Sequence, residues 1–432
     1  MTGPEMAALW QAARESPGPG WPLVNLKEAL VAQAGAAVAS VILGEFLQAT
    51  VSVKGGFSHL GRLADLVPGA AKRVIHATAQ TISLSGSALP GGRRSPATAL
   101  QARALFAVQL ERAMVFGRSN LRERAGGVLA DHQGDETARY ATRWGFDPLV
   151  VAGEMGPGGP HVHWLCPQAP VLQLPEAIGL AGVFSPGWGH CVLEFAPQLL
   201  LANLPGGPDP DVPVIVDSGL PETHYQMLAH VAGGRRLIRL PALQAAQAER
   251  LWLASAPEFW PVLRAPGQVF RAGLSSMNPD ALAALLAHAP APPRNPALPA
   301  RVFLARSGRH VRLADQAGVA DRLARAGFVT VAPESLSLPN QLALVAQATH
   351  VAGAAGSQIL LAMMFGRPDL AVLMFHHPKL EETPALTATA EARGQRVLVL
   401  PGQTITDNAT MPYNETYAID AGALDAALEE WL

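Results

Sequence analysis

From residue 301 onward two hydrophobic periods alternate along the chain, and few folds accept such an alternation. Arg301-Val-Phe-Leu-Ala-Arg306 is a short apolar run and reads as a strand. Residues 317–326 carry helical spacing at Val319, Leu323 and Ala326, and Phe328-Val-Thr-Val-Ala332 is β-branched again. The same exchange continues through a helix at 339–349, a strand at 350–353, a helix at 357–365, a strand at 370–375, a helix at 380–393 and a strand at 396–400. Strands that alternate with period-3.6 segments predict an α/β fold, a parallel sheet covered by helices with right-handed crossovers. Residues 421–432 read as a closing amphipathic helix.

A seam precedes this half. Ala289-Pro-Ala-Pro-Pro-Arg-Asn-Pro-Ala-Leu-Pro299 holds five prolines in eleven residues, so it continues neither a helix nor a sheet and reads as a semi-stiff connector. Residues 148–288 are also mixed. Their expected strands are 149–152, 161–166, 171–174, 212–217 and 236–240, and their expected helices are 190–204, 221–232 and 279–288. Residues 1 to about 140 read as mostly helical. The expected division is a helical region (1–140), a first α/β domain (141–290), a linker (291–300), a second α/β domain (301–412) and the closing helix (413–432). Two α/β halves and a connector suggest a cleft, with ligands beyond the carboxyl ends of the strands.

Hydrophobic residues make up 49% of the chain and charged residues 15%, enough apolar material for two cores and the reverse of a disordered composition. The net charge of −2 argues against a nucleic-acid partner. The two cysteines, Cys166 and Cys191, do not make a disulfide scaffold and favour a reducing compartment. The first residues lack the basic start of a signal peptide. The apolar stretch 29–53 is broken by Gln33, Glu45 and Gln48, so it is expected to be a buried helix or helix pair rather than a span, with peripheral membrane contact as the lesser expectation. The expected location is cytoplasmic.

The strongest chemical feature is Val351-Ala-Gly353-Ala-Ala-Gly356-Ser357-Gln358, between a strand and a helix. Small residues leave the backbone bare, and a helix N-terminus offers N–H groups to a phosphate. Arg306 ends a strand at the same edge, where its planar fork suits a diphosphate, and Arg309, His310 and Arg312 follow it. Glu334 and Gln341 lie at the next carboxyl edge and could bind ribose or sugar hydroxyls. In the first half a Gly-rich loop, Ser185-Pro-Gly-Trp-Gly-His190, runs into a helix with Glu194 four residues on, so His190 and Glu194 share a face as a base and its orienting carboxylate. Asp217 ends a strand as a second candidate carboxylate. Each has a plainer alternative: a tight turn, a solvated arginine, a capping carboxylate, a half-buried histidine, a turn aspartate before glycine. His161-x-His163 with Cys166 has metal-like spacing but nothing completes a site, so no metal is expected. His376-His377 could touch a ligand at the end of their strand.

Two blocks of these residues resemble the family 61 glycosyltransferases. Gly189-His190-Cys-Val-Leu-Glu194-Phe-Ala-Pro197-Gln-Leu-Leu-Leu is similar to the family's Gly-His-x-Leu-x-Glu/Asp-x-x-Pro-Arg-Leu. The second block is Phe303-Leu-Ala-Arg306, Gly327-Phe328, Pro333-Glu334-Ser-Leu-Ser337, Gln341, Gly353 and Gly356-Ser357. It is similar in order to the family's Ser-Arg strand end, Gly-Phe, Pro-Glu-x-Leu-Ser, Gln and Gly-x-His-Gly-Ala/Ser. The chain departs from the pattern where the family's histidine falls on Ala355, where Leu-Thr-Asn becomes Ile359-Leu-Leu361, and where Asn-Glu becomes Asp315-Gln316.

The resemblance implies a GT-B fold with two Rossmann-like halves, the first for a glycan or other hydroxyl acceptor and the second for a nucleotide-diphosphate sugar donor. It implies inversion at the anomeric carbon with no cofactor, in bacterial surface polysaccharide assembly. His190, Glu194 and Asp217 are then the expected catalytic residues. Arg306, Arg309, Glu334, Gln341, Gly353, Gly356, Ser357 and Gln358 are the expected nucleotide-sugar ligands. The alternative is a non-catalytic GT-B-like binding or scaffold subunit with a degenerate donor site.

Overall fold

The computed structural model describes residues 53–124, 127–130, 147–259, 276–288, 295–307, 312–378, 384–405 and 416–432, apart from isolated positions within them, and part of 30–43. The chain forms two compact units, one of residues 1–78 and 104–268 and the other of residues 79–103 and 269–432. The architecture is mixed α/β.

In the second unit five parallel strands lie side by side in the order Val329–Val331, Arg301–Leu304, His350–Ala354, Ala371–His376 and Arg396–Pro401. The short strand Ala88–Leu89 extends this sheet beyond Arg396–Pro401. The alternation read from residue 301 onward corresponds to these strands and to the helices Gln316–Arg325, Leu338–Gln347, Ser357–Phe365 and Pro384–Arg393. Every residue of Ala371–His376 and most of its neighbours' residues are buried, because helices cover a parallel sheet on both faces. The core joins Phe303, Leu373 and Phe375 to Leu323, Phe328, Leu424 and Trp431. Asp420 caps the closing helix Ala421–Trp431 by accepting from the Ala423 amide. In chain order the strands run 2-1-3-4-5. The sheet therefore reverses its direction of growth between Arg301–Leu304 and His350–Ala354, the kind of point at which open α/β sheets bind ligands beyond the carboxyl ends of their strands.

In the first unit Leu172–Gly179 runs parallel to Ala245–Ala254 on one side and to Val214–Asp217 on the other, with Leu237–Leu240 beyond. Ala245–Ala254 also pairs antiparallel with the long strand Leu105–Phe116. The ladders skip Arg112, Glu249 and Pro175 at one level. Proline has no N–H to give the ladder, and Arg112 has a left-handed φ of 44°, so neither position suits a regular ladder. Val115 Cγ2 lies 3.6 Å from where a Cβ on Gly179 would be. Leu180, on the far side of Gly179, takes its place in the ladder by donating to Ile215 O.

The first 140 residues were expected to be mostly helical, and over 53–130 the structure corrects this: the described residues there are mainly strands, from Val53–Gly61 to Gly127–Ala130. The strand Ala245–Ala254 was not foreseen either. Its Ala-Ala-Gln-Ala-Glu-Arg composition favours helix locally. Burial between Leu105–Phe116 and Leu172–Gly179 overrides that preference, since strand formation depends chiefly on packing. Among the described residues no helix is long and apolar enough to cross a membrane.

Phe375 is fully buried and meets Phe303 edge-on at a centroid distance of 6.2 Å. Phe375→Ala is expected to lower unfolding stability by about 3–5 kcal/mol, read from the shift in a denaturant transition followed by circular dichroism.

Candidate functional site

The second unit places its chemistry at the switch point. Arg306 follows Arg301–Leu304, and its backbone is pinned on both sides by Gln316, whose Oε1 accepts from the Arg306 amide and whose Nε2 donates to the Arg306 carbonyl, each at 2.8 Å. The Arg306 Nη2 donates to Ser357 Oγ at 3.1 Å. Ser357 opens the nine-residue helix Ser357–Phe365. Gly356, before it, has φ 142°, and a Cβ there would come within 3.3 Å of Arg306 Nη2. Glycine is therefore required twice, by the backbone conformation and by the approach of the guanidinium. The Leu360 amide is the first in the helix to donate to the turn before it, at Gly356 O. The amides ahead of Leu360 lie in the first turn, where a helix has no acceptor of its own to offer them.

Electrostatics sharpen this edge. Burial lowers the Arg306 guanidinium from its ordinary value, Glu334 opposes that, and Arg312 adds to it. Glu334 Oε1 accepts from the amide and hydroxyl of Ser307, at 2.9 and 3.0 Å. Burial alone would raise the Glu334 carboxyl, but these bonds, its own amide and the Arg306 charge hold it below the usual range. Gln358 is buried: its Nε2 donates to Leu304 O at 2.9 Å, and its Oε1 finds no partner among the described residues. Gly353 lies against Leu304 O and the Ile359 side chain, too close for a side chain of its own. The structure thus draws Arg306, Gly356, Ser357 and Gln358 together, with Glu334 linked through Ser307. Gln341 Nε2 donates to Leu336 O at 3.0 Å, just ahead of its own helix. Arg309 and His310 lie outside the described residues.

In the first unit Ser185-Pro-Gly leads into the helical turn Trp188–His190, a π-helical turn Cys191–Phe195 and the helix Ala196–Ala202. Such π-turns recur at functional sites. His190 Nδ1 lies 3.2 Å from Glu194 Oε2, with Glu194 wholly buried and His190 partly exposed. The His190 ring stacks on Phe184 at 4.5 Å. Burial raises the neighbouring Cys191 thiol far above its ordinary value, which makes it an inert packing group.

Asp217 is also where the sequence placed it, at the end of Val214–Asp217, but it is wholly buried and engaged. It accepts from the amides of Arg118 and Gly182 and from Ser185 Oγ. Burial pushes its carboxyl up and these bonds pull it back. The carboxylate is thereby tied to the loops that carry Arg118, Gly182 and Ser185. Arg118, φ 60°, and His224 join this centre without any sequence signal to mark them. His224 Nε2 meets Pro186 O at 3.1 Å and its ring meets Trp188 edge-on at 5.3 Å. Lone residues of this kind become legible only when tertiary structure brings residues 118, 185, 217 and 224 together. Elsewhere, His161 and His163 pack against Phe57, and Cys166 reaches Glu123 Oε2 at 4.0 Å. His376 is buried, and His377 meets Tyr417 edge-on at 5.8 Å.

Burial lowers His224 to about 4, so the ring is neutral at pH 7. A histidine that resists protonation when folded adds stability above its unfolded value near 6.5 and loses it as pH falls towards 4. That loss is expected to be on the order of 3 kcal/mol for His224, from its fall to about 4. Unfolding free energies measured between pH 6.5 and 4 should decline more steeply in the wild type than in His224→Gln.

Residues 188–373 match the family model described as Glycosyltransferase 61. This span opens two residues before His190 and closes within the strand Ala371–His376, so it takes in His190, Glu194 and Asp217 as well as Arg306, Glu334, Gly356 and Ser357. No curated protein matches the chain.

Proposed function

From this family 61 glycosyltransferase segment we propose that the chain moves a sugar from a nucleotide-diphosphate sugar to a hydroxyl acceptor, with inversion, in the manner of a GT-B enzyme. The observation that carries the donor half is the approach of the Arg306 guanidinium to Ser357 over the bare Gly356. A diphosphate leaving group needs positive charge and N–H dipoles placed in advance where its negative charge develops. Arg306 supplies the charge, and the amides at the start of Ser357–Phe365 supply the dipoles. Glu334 suits a ribose or sugar hydroxyl beside them.

The acceptor half belongs to the first unit. A histidine that donates from Nδ1 to a carboxylate keeps Nε2 as its basic nitrogen. His190 would take the acceptor hydroxyl's proton as the oxygen attacks the anomeric carbon, and Glu194 would stabilise the imidazolium that results. Buried Asp217 holds the surrounding loops in register. The polysaccharide assembly expected from the family resemblance stays part of this reading, as does a bacterial, cytoplasmic setting. A second reading, a binding subunit without turnover, is favoured by Ala355, which stands where the family places a histidine.

Calorimetric titration with a panel of nucleoside diphosphates tests the donor half. Arg306→Ala is expected to weaken binding by about 10- to 100-fold, the value of one or two charge-assisted hydrogen bonds; an unchanged Kd contradicts the role. His190→Ala is expected to abolish transfer while the diphosphate Kd holds. Transfer at the wild-type rate would remove His190 from the chemistry, and diphosphate binding by a wild type that transfers to no acceptor would favour the binding subunit.

A further inference from the structure

Arg118 follows the strand Leu105–Phe116 and lies outside the segment that the family model matches. It is only partly exposed, yet its guanidinium makes neither a hydrogen bond nor an ion pair among the described residues. Arg122 and Arg235 show what an enclosed arginine with a structural job does in this unit. Arg122 donates to the carbonyls of Ser119, Leu121 and Ala181. Arg235 donates to Asn203 Oδ1 and to the carbonyls of Pro208, Asp209 and Val212. Burial lowers the Arg118 pKa from its ordinary value, against the pull of Asp217 and Tyr225. A charge taken out of water without such partners is costly unless something completes it.

The chain holds Arg118 there in a left-handed conformation that few residues other than glycine adopt, φ 60°. Its amide donates to Asp217 Oδ1, while Asp217 Oδ2 accepts from the Gly182 amide and Ser185 Oγ. Buried Asp147 holds the next two residues, accepting from Ser119 Oγ at 2.8 Å and the Asn120 amide at 2.6 Å. Asp217 ends Val214–Asp217, and Gly182 comes three residues after Leu172–Gly179. Arg118 is thus tied to the carboxyl ends of two neighbouring parallel strands, the edge at which open α/β sheets bind ligands.

Its neighbours define what would complete it. The Arg118 charge reaches His224, which is neutral at pH 7 and meets the Trp188 ring edge-on at 5.3 Å. The Trp188 Nε1 is buried and finds no acceptor among the described residues. Asp217, the acid whose charge reaches Arg118, already accepts from two amides and a hydroxyl. Two unmatched donors, one of them a planar cation, therefore lie about a neutral histidine. That set suits the oxygens of an anion better than a neutral hydroxyl. Trp188 stands two residues before His190, on the same helical turn. We propose that Arg118 anchors an oxyanion site, and that the acceptor received by this unit carries a carboxylate or a phosphate. Arg118 is thus a specificity residue. This rests on the glycosyl-transfer reading and adds a charged substituent to its hydroxyl acceptor.

The test titrates the full chain with methyl glucuronide, methyl glucoside phosphate and, as the neutral control, methyl glucoside, with nucleoside diphosphate binding measured in parallel by calorimetry. At least one acidic probe is expected to bind about tenfold or more tighter than the neutral one, and which acid binds tells carboxylate from phosphate. Arg118→Asn removes the guanidinium and suits the left-handed backbone, so it should erase that preference while the diphosphate Kd holds. The Trp188 indole N–H resonance, assigned through Trp188→Phe, should shift with the acidic probe and not with the neutral one, a readout that serves if Arg118→Asn fails to fold. The inference is overturned if acidic and neutral probes bind alike, if neither acid binds, if the indole resonance ignores the acid, or if folded Arg118→Asn keeps the preference. Displacement of the acidic probe by a nucleoside diphosphate would assign Arg118 to the donor and overturn it as well. A wild type that binds an acidic probe through Arg118 but no nucleoside diphosphate would sink the transfer reading and leave the oxyanion site standing.

Discussion

Arg306 is held by its neighbours and, among the described residues, makes no direct ion pair to a carboxylate. Gln316 fixes its backbone, Ser357 takes one Nη, and Glu334, whose charge reaches it, is engaged with Ser307. Such a cation is costly to bury, and burial lowers its pKa accordingly. The 2-1-3-4-5 strand order brings it beside the start of Ser357–Phe365, where its Nη2 donates to Ser357 Oγ and the residue ahead of that serine is glycine. The donor half of the proposed chemistry depends on that arrangement. A side chain at Gly356 would displace Arg306 Nη2 from 3.3 Å away.

The first unit solves a related problem with buried carboxylates. Asp217 and Asp147 each take several donors from segments far apart in sequence, and together they grip the loop from Arg118 to Leu121. Bonds from backbone amides to a buried carboxylate are strong and directional, so the loop keeps a left-handed Arg118 that a less constrained turn would relax. Asn120 and the approach to His190 are placed by the same grip. The acids that shape this centre differ in role from the Glu194 that touches the histidine.

What could be read in the sequence follows from how local each signal is. The strands Arg301–Leu304, His350–Ala354 and Ala371–His376 are short apolar runs that are largely buried, and such runs declare themselves without reference to partners. The pair at His190 and Glu194 was legible because i and i+4 share a helical face. Ala245–Ala254 was not, because its alanines, glutamine and glutamate favour helix until flanking strands bury them. Asp217 was found as a carboxylate at a strand end, yet its job was set by Arg118 and Gly182, 99 and 35 residues away. Gln341 was read as a cleft residue from its place at a helix start, while its bond to Leu336 O carries no sequence signal.

Amide hydrogen exchange over residues 354–361, with and without a nucleoside diphosphate, tests most directly whether bare amides and a guanidinium grip pyrophosphate. The account predicts that the ligand slows exchange at the amides ahead of Leu360, which have no acceptor within the first turn of the helix. Binding that leaves this segment's exchange unchanged, with protection appearing elsewhere in the chain, would contradict it.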